Sequence, residues 1–488
     1  MLQNMSRLDR WIPKSLRDQS RRVWVWIALG LALRALMLWF PRLTDDDTAD
    51  YLELGRNLLH HGVYGLGAGD DITPTIFRLP AYPIILAVFE SLFARIWPAS
   101  WMTVLLMAQA ITDIVSGLLV AGFVRRTISP RAGEIALALA MLCPFTAAHA
   151  GIALTECFSV FALALGIYAA ERALDVESAA RMRLLFALLA GAASAFAMLL
   201  RPDGCLECAA LGGGILFYAI KAGLRNRVGV VAAFWCAALL PMVPWTVRNW
   251  MEFHVFQPLA PRYLNDPGER VNTGFYSWLR TWSTEFTTTA DVFWKVGSEP
   301  IDEDSIPDRA FDSADQRART LALIEEYNKN HSIDADLDNR FAALARERYH
   351  NQPVETLLVV PALRVADMLL RPRTLEFNLD LYWWDWRAHP TETVEAVLLG
   401  IVDLAYVALA LWGILRGSVP YAWMLGGYLV MRCVLLGTME NPEPRYTIQM
   451  FPIFIVAAAA ALQTGSLCAT RRHDAMRQST TGTFPYAH

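Results

Sequence analysis

Apolar stretches of roughly 17–24 residues recur along most of this 488-residue chain, each long enough to cross about 30 Å of hydrocarbon as a helix. Inside a bilayer the backbone must satisfy its own N–H and C=O groups, so such runs fold as helices packed on one another. The composition agrees: 55% of residues are hydrophobic and 18% charged, against about a quarter charged in an ordinary soluble domain. An all-α polytopic membrane protein is predicted. The net charge of −4 constrains little, because the placement of charge decides topology. No cleavable leader is expected, since Val23 to Phe40 contains Arg34 and lacks a small-residue cleavage site. The seven cysteines are scattered and form no disulfide framework. Cys205 and Cys208 make a CxxC without a second pair or histidine cluster, so they read as small apolar residues rather than zinc ligands.

Arg7, Arg10, Lys14, Arg17, Arg21 and Arg22 precede the first span and place that end in the cytoplasm. The first span then leads outward to Pro41. Pro80–Trp97 reads as an interfacial or re-entrant helix, because a crossing there would leave Arg125, Arg126 and Arg131 outside. Trp101–Val124, Ala132–Ala150, Phe158–Ala173, Leu184–Leu200, Leu206–Ile220 and Val228–Pro244 follow as spans, and Val394–Leu415, Tyr421–Leu436 and Ile448–Leu462 complete the set. The total is about ten, with both ends cytoplasmic. Leu357–Leu370 carries Arg364 and Asp367 and reads as a second interfacial helix.

The chain therefore divides into a membrane module, 1–247, with an outer loop at 41–100; a large outer loop, 248–390; C-terminal helices, 391–464; and a polar cytoplasmic tail, 465–488, expected to be disordered. In the large loop, Phe311, Leu321, Ile324, Phe341 and Leu344 recur at helical spacing, predicting two or three amphipathic helices. Asp334, Asp336 and Asp338 resemble the start of a calcium loop, but Asn339 replaces the turn glycine and Ala345 the closing glutamate. A helix N-cap is the expected role of Asp338.

With this topology the conspicuous polar motifs fall on the outer side. They include Asp45-Asp46-Asp47, Phe77-Arg78-Leu79-Pro80-Ala81-Tyr82-Pro83, Leu154-Thr155-Glu156 and Arg201-Pro202-Asp203. Pro244-Trp245-Thr246-Val247-Arg248-Asn249 and Glu443-Pro444-Arg445-Tyr446 complete them. Arginine suits an anionic phosphate because its planar fork donates two hydrogen bonds and stays charged, and a carboxylate beside it suits a general base. Taken singly, each arginine is equally a lipid-headgroup anchor and the acidic triplet a solvated helix cap. Within the spans, Arg34, Asp113, Glu207, Asp403 and Arg432 must find partners; interhelical pairing such as Arg34 with Asp113 is expected ahead of an ion or proton path.

The order of these motifs resembles that of the polyprenyl-phosphate-sugar glycosyltransferases of the GT-C fold, a group that includes protein O-mannosyltransferases, the lipid A aminoarabinose transferase and lipopolysaccharide-core sugar transferases. The resemblance rests on Asp47-Thr48-Ala49-Asp50-Tyr51 with Gly55-Arg56-Asn57-Leu58-Leu59, and on the motifs around Arg78, Glu156, Arg201, Arg248 and Arg445. It implies a GT-C-like bundle with periplasmic juxtamembrane helices, in an inner membrane with catalysis on the periplasmic side. It also implies a catalytic base at Asp47, with Asp46 as the alternative, a second acidic position at Glu156, and a basic position near the lipid phosphate at Arg78. Arg201, Arg248 and Arg445 are candidates to join Arg78 at that phosphate, and Tyr51, Tyr82 and Tyr446 to bind substrate. The chain departs from larger members in showing no soluble domain after the last span.

The implied partners are a polyprenyl-phosphate-linked sugar, a cell-envelope acceptor (protein, lipid or glycan) and membrane lipid, with no nucleic acid. No nucleotide-sugar motif is visible. The sequence calls for no particular cofactor, although a divalent metal between Asp47 and Glu156 is compatible with it. A ligase for lipid-linked oligosaccharide is the nearest competing enzyme, and a flippase or transporter the competing class. The latter predicts paired halves with broken helices at mid-membrane, and no such symmetry is visible.

Overall fold

The computed structural model describes residues 14–39, 46–97 and 100–463, with side chains from 21 onward except Asp46. Arg7, Arg10, Asp45, the Asp46 side chain and the tail beyond 463 lie outside the described residues. Helix α1 (Lys14–Trp39) flanks the bundle and is followed by α2 (Asp46–His61), a two-residue hairpin β1 (Gly65–Leu66) and β2 (Thr73–Pro74), and α3 (Ala81–Phe93). The core comprises α4 (Trp101–Thr127), α5 (Pro130–Leu142), α6 (Pro144–Ala150), α7 (Glu156–Leu174), α8 (Ala180–Leu200), α9 (Gly204–Lys221), α10 (Arg227–Leu239) and α11 (Met242–Phe253). Next come α12 (Thr273–Arg280), α13 (Ala314–Asn328), α14 (Ala335–Asn351) and α15 (Val360–Leu370). Helices α16 (Pro390–Leu415), α17 (Ala422–Gly437) and α18 (Pro444–Gln463) close the bundle.

Among the described residues eight helices are long and apolar enough to cross a membrane, and the pair α5–α6 makes a ninth if it is one span. Adding the shorter apolar helix α17 reaches the expected ten. The predicted continuous span at 132–150 is instead bent by 52° at Cys143–Pro144, where proline removes a backbone donor and clashes with the preceding turn. The span predicted to end at Pro244 continues as α11 to Phe253, carrying Arg248 on a helix. Helix α3 has 13 residues, about 20 Å, too short to cross.

Small residues let these helices approach closely, the usual basis of helix association where hydrophobic burial offers no gain. Ala162, Ala169 and Ala173 of α7 and Ala187, Ala190 and Ala193 of α8 are buried, as is Ala457–Ala461 of α18. A Cβ on Gly413 would lie 2.0 Å from the Ala457 carbonyl oxygen, so only glycine permits that crossing.

Charges in the spans find partners. Arg34 Nη2 lies 2.6 Å from Asp113, both almost fully buried, and the guanidinium also reaches the Ala140 carbonyl at 3.0 Å. Arg373 meets Asp403 at 3.2 Å and Glu376 at 3.1 Å. Glu207 is the exception, with one carboxylate oxygen buried and without a hydrogen-bond partner. Cys205 and Cys208 are free thiols.

The large loop folds its predicted helices, α13 and α14, against α12 over a core of Phe275, Trp278, Trp282, Tyr327 and Phe341. Asp338 is not the cap of its own helix. Asp334 takes that role, accepting from the Leu337 N–H at 2.8 Å. Asp338 instead caps α12, accepting from the Gly274 and Phe275 N–H groups at 3.1 and 2.9 Å. Arg364, read from the sequence as lying on an interfacial helix, is buried and donates to the carbonyls of Arg280 and Ser283 in the loop and Gly437 of α17.

Candidate active site

Helix ends far apart in sequence converge at one end of the bundle. Asp47 sits in the first turn of α2, where unpaired N–H groups favour a carboxylate. Arg78, in the turn before α3, donates to one Asp47 oxygen and, at 3.1 Å, to Asp50. Its guanidinium lies 5.3 Å from the Tyr51 ring centre and 5.1 Å from that of Phe77. From the start of α18, Arg445 reaches the other Asp47 oxygen at 3.1 Å and Glu443 at 2.6 Å. Burial pushes the Asp47 carboxyl up, but Arg445 and Arg78 outweigh it and hold the group below its ordinary value of 3.8. Asp50 lies above its ordinary value, because burial there exceeds the pull of Arg78.

Glu156 begins α7 and is almost fully buried. Arg201, at the end of α8, donates to it at 2.8 Å and to Thr155 at 3.3 Å, and also meets Asp203 at 3.3 Å. Asp203 is shared with Arg432 of α17; burial pushes its carboxyl up, but Arg201 and Arg432 bring it down to about 2. The Tyr446 ring stands between the clusters, 5.7 Å from the Arg201 guanidinium and 5.5 Å from that of Arg445. Its hydroxyl donates to Glu443 at 2.9 Å. Thr48, beside Asp47, donates to the Ala153 carbonyl at 3.2 Å and ties α2 to the turn that carries Glu156.

Of the residues singled out in the sequence, the structure brings together Asp47, Glu156, Arg78, Arg201, Arg445, Tyr51 and Tyr446. Tyr82 lies one layer behind, packed edge-on against Tyr51 at 5.2 Å and donating to Gln109 at 3.0 Å. Arg248 stands apart, with its guanidinium on the backbone carbonyls of Tyr64 and Thr75 at 2.7 and 2.8 Å. Asp50, Asp203, Arg432 and Glu443 join the cluster without being expected there from the sequence. Asp203 and Glu443 lie two residues from Arg201 and Arg445, the one signal that marks them; Asp50 has no such neighbour, and Arg432 reads as an isolated intramembrane charge that the structure pairs with Asp203.

Four arginines thus face five carboxylates in this cluster, and every arginine already holds at least one of them. Among the described residues no group of three or more His, Cys, Asp or Glu side chains forms a metal-binding set. Both Asp47 oxygens meet guanidinium groups, and Glu156 meets Arg201. The donor set for a divalent ion between Asp47 and Glu156 is therefore not assembled.

No family model matches the chain, and no curated protein matches it in sequence. In three dimensions it is similar to the archaeal oligosaccharyltransferase AglB from Archaeoglobus fulgidus, solved with an inhibitory peptide and a dolichol-phosphate. That match has a TM-score of 0.52 at 13% identity, covering 98% of this chain and 53% of that one. The apo form of the Archaeoglobus fulgidus oligosaccharyltransferase gives a TM-score of 0.51 at 15% identity, over 98% and 53%. ArnT from Cupriavidus metallidurans bound to undecaprenyl phosphate gives 0.41 at 13% identity, over 94% and 81%. At these identities the likeness is one of fold: this chain is a multi-pass membrane protein with the GT-C fold. It spans about half the length of the oligosaccharyltransferase chains it matches.

Proposed function

We propose that this protein is an integral-membrane glycosyltransferase. It transfers a sugar from a polyprenyl-phosphate donor to a cell-envelope acceptor on the outer face of the membrane, with inversion at the anomeric carbon. One observation carries the reading: Asp47 is held between Arg78 and Arg445 where four helix ends and the first loop meet. The GT-C fold and the outward placement of those ends by the positive-inside rule support it.

In this reaction Asp47 accepts the proton of the acceptor hydroxyl as its oxygen attacks the anomeric carbon. The bond from that carbon to the phosphate oxygen breaks, and its electron pair leaves with the lipid phosphate. Arg78 and Arg445 offset the charge developing there, with Arg201 behind them, as preorganised cations do at a leaving phosphate. Because each arginine is already held by carboxylates, the phosphate has to exchange for Asp47 on Arg78 and Arg445. The exchange has a consequence for the base. An aspartate clamped by two arginines is a weak one, and losing them to the phosphate raises its proton affinity when the donor is seated. Glu156 keeps Arg201 in place.

A ligase acting on lipid-linked oligosaccharide is the second reading, favoured by the fold shared with AglB. A flippase is less well supported, because Arg34–Asp113 and Arg373–Asp403 are closed structural pairs rather than a path. The test is to incubate purified protein with radiolabelled polyprenyl-phosphate sugars and cell-envelope fractions. Label leaving the lipid is expected; transfer only from oligosaccharide donors selects the ligase. Movement of intact lipid across liposomes without sugar transfer overturns both.

A further inference from the structure

The segment from Val63 to Pro80 carries Arg78 to Asp47, and it has too little core of its own to fix a guanidinium. Its regular structure is one two-residue hairpin and a single 3-10 turn at Gly69–Asp71. A two-stranded hairpin alone is marginal in water, so its geometry must be imposed from outside.

From α2, the Asn57 amide donates to the Gly65 and Gly67 carbonyls at 2.9 and 3.0 Å and holds the turn end of the hairpin; the strand ends nearest Arg78 are held from α11 and the large loop. Arg248 of α11 forks onto the carbonyls of Tyr64 and Thr75, at 2.7 and 2.8 Å, the residues flanking the hairpin on either strand. The same guanidinium is packed among the rings of Tyr64, Trp245 and Phe253, at 5.6, 5.3 and 5.3 Å. From the large loop, Asp266 accepts from the Thr75 hydroxyl and the Ile76 N–H, both at 2.8 Å. The Tyr64 hydroxyl then donates to the carbonyls of Arg78 and Leu79, both at 3.1 Å. The chain of contacts runs from Arg248 through Tyr64 to the backbone of Arg78.

We propose that Arg248 and Asp266 are positioning residues: they form a clasp that sets where Arg78 stands relative to Asp47, and Arg248 does not itself bind the donor phosphate. The catalytic consequence rests on the glycosyltransferase reading; the clasp does not. The clasp also links the large loop to the site, because Asp266 belongs to that loop. A displacement of about 1 Å in a charge that stabilises a leaving group costs rate steeply even when no substrate contact is removed.

Arg248→Lys keeps the charge but cannot fork onto two carbonyls, and Asp266→Asn keeps the shape but loses the charge-assisted bonds. Hydrogen exchange of the backbone amides of Ile76 to Leu79 is the first measurement, made on full-length protein in detergent. Faster exchange is expected in both variants, with the amides of α4 unchanged. Unchanged exchange at Ile76 to Leu79 overturns the clasp whether or not the protein transfers sugar.

The second measurement is a double-mutant cycle on transfer from a radiolabelled polyprenyl-phosphate sugar. Arg248→Lys is expected to lower kcat/KM about tenfold in the wild-type background and less than about twofold in an Arg78→Ala background. An equal loss in both backgrounds means that Arg248 acts on the donor directly, and overturns the assignment. If wild-type protein transfers no sugar, the glycosyltransferase reading fails while the exchange measurement still decides the clasp.

Discussion

Two sets of arginine–carboxylate pairs sit in this molecule and behave as different materials. Arg34–Asp113 and Arg373–Asp403 are sealed, each group no more than 4% exposed, and their spare donors go to fixed partners such as the Ala140 and Pro444 carbonyls. Around Asp47 the same chemistry is left partly open: Arg78 is 13% exposed, Arg445 21% and Asp47 22%. There, carboxylates are shared between arginines that come from different elements. A sealed pair has nowhere to go and serves as glue between helices. A shared, part-open pair can exchange one anion for another at modest cost, as a phosphate site requires.

The largest effect should come from cutting the open set at its centre. Asp47→Asn is expected to lower transfer by about 10²–10⁴-fold, the usual contribution of a general base, while the protein still extracts and migrates as folded. Near-normal turnover of a defined donor would remove Asp47 as the base. Arg78→Ala should fall mainly on use of the lipid phosphate, leaving the acceptor dependence of kcat alone.

Breaking the sealed set should act on folding instead. Arg34→Ala leaves Asp113 as an unpaired charge between α1, α4 and α5, and removing one partner of such a pair costs about 3–5 kcal/mol. Loss of monodisperse protein is expected, with rescue by the double change Arg34→Leu and Asp113→Leu. A stable Arg34→Ala protein with impaired turnover would make this pair part of the mechanism.

Of the sealed pairs, Arg34–Asp113 is legible in the sequence, whereas Arg373, the partner of Asp403, lies outside the apolar runs and is not. An arginine in an apolar run demands a partner, and Asp113 was within reach as the intramembrane acid on a nearby span. Arg432 followed the same logic but found Asp203, a residue outside the spans, so its place beneath the site was hidden. Arg248 is ambiguous in the sequence, because a basic residue at a helix end looks the same whether it faces a phosphate or two backbone carbonyls. Sequence could show that the arginine was there, while the fork onto Tyr64 and Thr75 depends on how α11 meets a hairpin with almost no periodic pattern. The break between α5 and α6 is marked by Pro144, but hydropathy averaged across it reads as one span.

The pH dependence separates the open set's two states. In the free protein Arg445 and Arg78 hold the Asp47 carboxyl below its ordinary value, so the base form persists to low pH and is lost only as pH falls through that depressed value. With donor bound, the arginines turn to the phosphate and the carboxyl rises. The acid limb of kcat should therefore lie above that of kcat/KM by about one pH unit or more, equivalent to about 1.4 kcal/mol. Coincident limbs would mean that the arginines never leave Asp47, and the exchange step would have to be abandoned.

The smallest effect belongs to a third kind of pair, on the surface of the large loop. Arg319 meets Glu347 at 2.9 Å across α13 and α14, but Arg319 is 47% exposed and Glu347 33%. Water screens the attraction, and holding two long side chains costs entropy, so such pairs contribute about 0–1 kcal/mol. The packing of Leu323, Ile324 and Tyr327 of α13 with Phe341 and Leu344 of α14 in one core holds these helices together without it. Arg319→Ala should leave both the unfolding temperature and the transfer rate close to wild type. A loss as large as that expected for Arg34→Ala would show that this face is covered in the working protein, since only exclusion of water gives such a pair that weight.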